Sequence, residues 1–155
     1  MTKPAWLYDP VSACERGENP TVIARTRAGF IVIGIVQHWP GYCLLLASPK
    51  VGRFEDLDRS RRSVFLDEMG VLGEAIAQVC KPRRVNYSIY GNTDAYLHAH
   101  VVPRYEWESE EHIKGPIWNY PSEIWDDPAH AFDEGKHGAL KARIARMLED
   151  LGASV

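Results

Sequence analysis

The chain has 155 residues, of which 45% are hydrophobic and 25% are charged. This length suits one domain with its own core and is short for two. The formal net charge is −3, so the chain lacks the basic field of a dedicated nucleic-acid-binding protein. The longest apolar run, residues 30–36, is far too short to cross a bilayer, which predicts no membrane partner.

The cysteines and the first residues bear on the compartment. Cys14, Cys43 and Cys80 are odd in number and far apart, which argues against a disulfide framework. Residues 1–10 lack the apolar stretch of a signal peptide and already contain an acid and two prolines. These features together predict a cytoplasmic protein.

The first half of the chain predicts three strands and a long helix. A short helix is expected within residues 9–18, before segments rich in β-branched residues at 21–25 and 29–36. A third strand is expected at 42–47, after the chain is broken by Pro40 and Gly41. Residues 55–80 then predict a helix, because apolar residues recur at spacings of three and four. These residues are Phe65, Met69, Leu72, Ile76 and Val79.

The second half predicts a pair of strands and a final helix. Strands at 85–90 and 96–102 flank a turn at 91–94, and Pro103 is expected to end the second strand. From about residue 106 an acidic and aromatic tail is interpreted as irregular, and a helix is predicted at about 139–151. The predicted fold is therefore α+β, a five-stranded antiparallel sheet with one long central helix and a C-terminal helix, in a single domain over residues 1–155.

The fifth predicted strand carries the residues best suited to chemistry. Because side chains alternate along a strand, Tyr96, His98 and His100 share one face. The opposite face suits a core and carries Leu97, Ala99 and Val101. Three polar rings side by side are instead typical of a cleft.

Two imidazoles in this register can act on one phosphate. A neutral imidazole is a competent nucleophile, since its reference pKa is about 6.5, and a second, protonated imidazole can assist the leaving group. The turn at Gly91, Asn92 and Thr93 offers backbone N–H groups and short polar side chains to the same phosphate.

Other interpretations of these residues remain open. Paired histidines on a strand are also common metal ligands, and a cupin-like metal enzyme is an alternative because Gly91, His98, His100 and Glu106 approach that family's ligand spacing. Arg104 either neutralises phosphate or pairs with Glu106 or Glu108. The tail aromatics either cover a base by stacking or bury the tail. These are Trp107, Trp118, Tyr120 and Trp125.

Residues 96–104, Tyr-Leu-His-Ala-His-Val-Val-Pro-Arg, resemble the signature strand of the histidine triad superfamily. That signature has three alternating histidines, two apolar residues and often Pro-Arg. Residues 40–50 resemble the family's Pro-Gly-His strand ending in Pro-Lys, and residues 54–57 the start of its long helix. Residues 86–92 resemble the strand and turn before the triad, and 115–118 a tail of one bacterial subgroup, the diadenosine polyphosphate hydrolase-like proteins.

The resemblance implies a nucleotide hydrolase or nucleotidyl transferase that forms a nucleotidyl-histidine intermediate at the α-phosphate of dinucleoside polyphosphates or related conjugates. It implies attack by the middle histidine, His98, help to the leaving group from His100, and Asn92 near phosphate or ribose. It also implies a homodimer, with no cofactor and no metal held by the protein.

Two departures from the family pattern leave a second function open. Tyr96 replaces the first histidine, and Gly34 stands where many members carry Asn or Asp toward the ribose. A tyrosine titrates near pH 10, so Tyr96 is no base at neutral pH, although it retains a hydrogen-bonding hydroxyl. The alternative is a nucleotide-binding sensor or partner module without turnover.

Overall fold

In the computed structural model, which describes residues 2–155, one antiparallel sheet organises the chain. Its strands are β1 (Val22–Arg25), β2 (Gly29–Ile33), β3 (Cys43–Ala47), β4 (Arg84–Ser88) and β5 (His98–Arg104). Their order across the sheet is β1-β2-β3-β5-β4, so the strand that carries the histidines is central. The predicted α+β class with a five-stranded antiparallel sheet is confirmed.

Five α-helices accompany the sheet within residues 2–155. They are α1 (Pro10–Glu15), α2 (Arg59–Cys80), α3 (Glu110–Ile113), α4 (Ser122–Asp126) and α5 (Glu134–Asp150). Helix α2 begins later than predicted because Asp58 caps it, accepting a hydrogen bond from the Arg61 N–H, and residues 54–56 form a separate 3-10 turn. Helix α5 begins earlier than predicted, since Asp133 caps the Lys136 N–H.

The two faces of the sheet have different partners. Helices α2 and α5 pack on one face, and the main core contains Leu45 of β3, Ala99 and Val101 of β5, Leu72 of α2 and Ile144 of α5, all fully buried. This burial of apolar area is the main stabilising contribution to the fold. The opposite face is covered by α1 and the tail, and it carries His98 and His100.

Strand β5 continues through Pro103 to Arg104, where the sequence predicted its end. Pairing with β3 stops at Val101, whereas pairing with β4 continues to Arg104, whose carbonyl accepts a hydrogen bond from Arg83 N–H. N–H groups of successive residues point to opposite edges of a strand, so the position of Pro103 faces the β3 edge of β5. Pairing with β3 has already ended there, and the missing N–H of Pro103 costs no ladder hydrogen bond.

The tail after β5 contains α3, α4 and two 3-10 turns, at Ile117–Asn119 and Pro128–His130, where an irregular segment was predicted. These elements have three to five residues each and are too short to give a periodic signal. No helix within residues 2–155 is long and apolar enough to span a bilayer. A single sheet covered by helices also rules out the cupin-like alternative, because a cupin is nearly all strand.

Candidate active site

His98 is held in one orientation by a backbone carbonyl. Its Nδ1 lies 2.8 Å from the carbonyl oxygen of Tyr96, and the residue is only 5% exposed. Because a carbonyl can only accept a hydrogen bond, Nδ1 must carry the proton and donate it. The lone pair of His98 is therefore on Nε2, the nitrogen that can act as a nucleophile.

His100 is held by a second partner, the hydroxyl of Tyr42. The Tyr42 oxygen lies 2.8 Å from Nδ1 of His100, and both residues are buried. Burial, and secondarily the neighbouring His98, lowers the pKa of His100 to about 4, so its imidazole is neutral at pH 7. Burial also raises the pKa of Tyr42, which keeps its hydroxyl protonated. The rings of His98 and His100 lie 4.8 Å apart between centroids.

The sheet register explains how Tyr42 reaches His100. Leu44 pairs with His100 across β3 and β5, and Tyr42 precedes Leu44 by two residues, on the same face. The space for its ring comes from Gly34, where an added Cβ would lie 2.9 Å from Tyr42 Cδ1. Sequence reasoning gave Tyr42 no role; the i, i+2 relation to the residue that pairs with His100 is the signal that would have found it.

Both histidines line a cavity of about 420 Å³ beside the loop between β4 and β5. This loop cavity is also lined by Gly91, Asn92 and Thr93, so the structure brings these predicted phosphate contacts together with His98 and His100. Gly91 has φ of 76°, the left-handed region that glycine adopts most readily, and this turns the loop over the histidines. Its remaining lining residues are Tyr90, Asp94 and Trp118.

A second cavity, of about 330 Å³, also contacts both histidines and is lined mainly by apolar and aromatic residues; we call it the apolar cavity. Its walls include Val32, Leu44 and Leu46 of the sheet and Tyr96. The Tyr96 ring lies 4.9 Å from that of His98, and burial, with smaller contributions from nearby acidic groups, raises the pKa of Tyr96 to about 12. Tyr96 therefore lines the site as a neutral ring and does not act as a base at pH 7.

The tail aromatics divide into two groups. Trp118 and Trp125 are stacked 5.2 Å apart and both line the apolar cavity, with the Trp118 ring 5.0 Å from His100. Trp107 and Tyr120 instead contact His38, outside both cavities. Of these four residues, only Trp118 and Trp125 border a cavity, and the covering of a base by stacking stays a prediction for those two.

Arg104 does not lie in either cavity, which corrects its prediction as a substrate contact. Its guanidinium is buried, 2.8 Å from a Glu108 carboxylate oxygen, and it also donates to Asn86 and to two tail carbonyls. Burial alone would raise the pKa of Glu108, but hydrogen bonds from Arg104, Tyr105 and Tyr120 outweigh it and lower that pKa. Apart from the hydrogen bond to Asn86 of β4, the hydrogen bonds that the Arg104 side chain donates hold the tail against the sheet.

Comparison with known proteins rests on structure alone, since no protein-family model and no curated protein matches the sequence. A histidine triad protein from Sinorhizobium meliloti is similar with a TM-score of 0.70 at 20% identity, covering 86% of this chain and 94% of that one. A hypothetical histidine triad nucleotide-binding protein from Sulfolobus tokodaii has a TM-score of 0.69 at 13% identity, covering 91% of each chain.

A third similar structure is that of an enzyme, the diadenosine triphosphate hydrolase of Plasmodium falciparum. It has a TM-score of 0.57 at 12% identity and covers 84% of this chain and 77% of its own. Identities this low establish architecture and not activity. This chain therefore has the fold of the histidine triad proteins, with two of the three signature histidines side by side in a cleft.

Proposed function

We propose that this protein is a histidine triad nucleotide hydrolase or nucleotidyl transferase that acts at the α-phosphate of its substrate. The observation that carries the proposal is the hydrogen bond of His98 Nδ1 to the Tyr96 carbonyl. It leaves a lone pair on Nε2 of a buried imidazole that lines both the loop cavity and the apolar cavity. A phosphate joined to a nucleoside would lie across this junction.

The two cavities suit different parts of a nucleotide. The apolar cavity, with Val32, Leu44 and the Trp118 and Trp125 rings, offers the apolar and aromatic surface on which a nucleobase stacks. The loop cavity offers the N–H groups and short polar side chains of Asn92 and Thr93 to phosphate oxygens.

The chemistry proceeds in two displacements. In the first, the Nε2 lone pair of His98 forms a bond to the α-phosphorus, and the bond from phosphorus to the bridging atom breaks with its electron pair going to the leaving group. In the second, water or another acceptor attacks the same phosphorus, and the bond to Nε2 breaks. Water as the acceptor gives a hydrolase, and any other hydroxyl gives a transferase.

His100 supplies a proton to the leaving group in the first displacement and recovers one from the attacking acceptor in the second. Protonated His100 carries a hydrogen on both ring nitrogens, so its Nδ1–H donates to the Tyr42 oxygen while the proton on Nε2 can pass to the leaving group, which leaves a neutral imidazole. An anionic phosphate beside the ring raises the pKa of His100 above its value in the unliganded protein, so protonation accompanies substrate binding.

Dinucleoside polyphosphates, nucleoside phosphoramidates and related conjugates are the proposed substrates. The test is to incubate wild-type protein and His98→Ala with diadenosine tetraphosphate and with adenosine 5′-phosphoramidate, and to follow AMP by chromatography. We expect AMP from the wild type and none above background from the variant. The matched control is His137→Ala in α5, which lines neither cavity and should retain full activity.

A rapid quench at alkaline pH, followed by mass spectrometry of the intact protein, should detect one nucleotidyl group on the wild type and none on His98→Ala.

The alternative of a binding module without turnover is favoured by one feature, the neutral Tyr96 in the place of the first histidine. Tight AMP binding without product from either substrate would establish that alternative and reject the hydrolase.

A homodimer belongs to the proposal because the family resemblance implies one. It is supported by the exposed apolar surface that α2 and β4 form together, where Tyr87 is 45% exposed and lies over Gly73, and Leu66 is 44% exposed two helical turns away. Light scattering after size exclusion should give twice the mass of the chain, and Leu66→Glu should reduce it.

A further inference from the structure

Two histidines outside the candidate active site form a hydrogen bond with each other. Nδ1 of His38, in the connection between β2 and β3, lies 3.2 Å from Nε2 of His130, in the 3-10 turn before α5. Nδ1 of His130 lies 3.0 Å from the carbonyl oxygen of Ile124 in α4. Because a carbonyl only accepts, Nδ1 of His130 carries a proton, and its Nε2 accepts from the His38 N–H while both rings are neutral.

Backbone hydrogen bonds join the same two segments. The Gln37 N–H donates to the His130 carbonyl at 2.6 Å, and the Phe132 N–H donates to the Ile35 carbonyl at 2.8 Å. An isolated antiparallel bridge lies between these two hydrogen bonds. The histidine pair therefore extends a short seam between residues 35–38 and residues 130–132 of the tail, which we call the tail seam.

The tail seam borders the apolar cavity. Ile35 and Val36 line this cavity from the β2–β3 connection, and Trp125, the residue after Ile124, lines it from the tail. Helix α4, which carries Trp125, has five residues and is too short to be stable without tertiary contacts. The position of the Trp125 ring therefore depends on contacts such as the hydrogen bond from His130 to the Ile124 carbonyl.

The pair accommodates one added proton but not two. If His130 gains a proton, its Nε2–H donates to Nδ1 of His38, whose own proton then sits on Nε2. If both rings are protonated, two N–H groups face each other, so the hydrogen bond is lost and two positive charges repel. Burial, and secondarily His130, lowers the pKa of His38, so the second proton binds below the usual range of histidine near pH 6.5.

The groups around His38 do not compensate a second charge. Its ring contacts are with Trp39, Trp107 and Tyr120. The titratable groups that face it from the tail are His130, the carboxylates of Glu108 and Asp127 and, behind Tyr120, the stacked ring of His112. The two carboxylates raise the pKa of His38 less than burial and His130 lower it, and Glu108 is already paired with Arg104.

We propose that His38 and His130 are positioning residues that hold the Trp125 wall of the apolar cavity in place, and that a second proton on the pair releases it. A nucleobase loses stacking surface when Trp125 moves away, so nucleotide affinity falls at acid pH. This consequence for affinity rests on the proposed function, whereas the release of the tail seam does not.

The test uses a variant that keeps the hydrogen bond but cannot titrate. His38→Asn places an amide N–H where the Nδ1–H stood, whereas His38→Ala removes the donor at every pH. The matched control is His137→Asn in α5, which removes a histidine from outside the pair. AMP affinity is measured by titration calorimetry at about pH 7.5 and about pH 5.5, and hydrogen exchange of the Gln37 and Phe132 amides is measured without ligand at the same two pH values.

Between these pH values we expect the AMP affinity of the wild type and of His137→Asn to fall about tenfold further than that of His38→Asn. The ionisation of AMP is common to all variants and cancels in this comparison. His38→Ala should bind AMP about tenfold more weakly than the wild type already at the higher pH. At the lower pH, the Gln37 and Phe132 amides should lose protection relative to the β3 amides in the wild type and keep it in His38→Asn.

The same pH dependence of affinity in the wild type and His38→Asn, or an equal loss of protection in β3 and the tail seam, would overturn the proposal. If the wild type binds no AMP at either pH, the proposed function fails, and amide exchange alone decides the role of the pair. Loss of protection at acid pH in the wild type but not in His38→Asn would then support it, and unchanged protection in the wild type would reject it.

Discussion

Replacing Tyr42 by phenylalanine isolates the hydrogen bond that holds His100. The substitution keeps the ring, which fills the space against Gly34, and removes only the hydroxyl that lies 2.8 Å from Nδ1 of His100. His100 is 9% exposed, so water does not readily replace the lost partner. A buried polar group left without a partner costs about 1–3 kcal/mol.

This cost predicts a measurable change in stability. For a chain of 155 residues, each kcal/mol corresponds to about 2–4 °C in Tm, so Tyr42→Phe should lower Tm by roughly 3–10 °C. Differential scanning calorimetry measures the change. Tyr8→Phe is the matched control, since Tyr8 is 72% exposed and its variant should melt like the wild type.

The same substitution should affect catalysis beyond its effect on stability. Without the Tyr42 hydroxyl, neither the ring orientation of His100 nor the proton on its Nε2 is fixed, and we expect kcat/KM to fall about 10–100-fold, with AMP affinity within about threefold of wild type. The assay is run well below the lowered Tm. Unchanged Tm together with unchanged kcat/KM would refute the assignment of Tyr42 as the residue that positions His100.

Three further predictions concern other contacts of the same fold. Burial holds the pKa of His100 near 4, whereas an unfolded imidazole titrates near 6.5, so the unfolded chain binds more protons than the folded protein between these pH values. The contribution of neutral His100 to the free energy of unfolding is therefore complete above pH 6.5 and is lost as the pH falls toward 4. This contribution is about 3 kcal/mol. Urea unfolding should therefore show that the free energy of unfolding of His100→Gln falls less than that of the wild type between pH 6.5 and pH 4. The same dependence on pH in both proteins would contradict the prediction. Gly34→Ala should destabilise the protein by about 1–3 kcal/mol, because the added Cβ would lie 2.9 Å from Tyr42 Cδ1. Gly70→Ala is the control: it lies in open space within α2 and should stabilise the protein by up to about 1 kcal/mol. A higher Tm for Gly34→Ala than for Gly70→Ala would contradict this packing. Arg104→Met should cost about 3–5 kcal/mol, since it leaves the Glu108 carboxylate buried without its partner, and a red shift of tryptophan fluorescence should report the released tail; wild-type stability would show that this ion pair does not hold the tail.

The local pattern of residues determined much of this protein. Alternation along residues 96–102 was sufficient to assign His98 and His100 to one face and Ala99 and Val101 to the core, because the side-chain period of a strand is fixed. The three- and four-residue spacing of Phe65, Leu72 and their neighbours likewise determined a helix that the structure confirms as α2. Both inferences use only the geometry of the backbone over short distances.

Contacts between distant segments were decided only by the tertiary structure. Tyr42 meets His100 across 58 residues of sequence, through a register that no local pattern specifies. Arg104 follows the signature strand as a phosphate-binding residue would, yet its charge is used by Glu108, because the tail turns back over the sheet and buries both groups. Pro103 remains in β5 only because β3 has already ended beside it. In each case the role of the residue depends on which group, distant in sequence, packs against it, and the packing of the whole chain decides that contact.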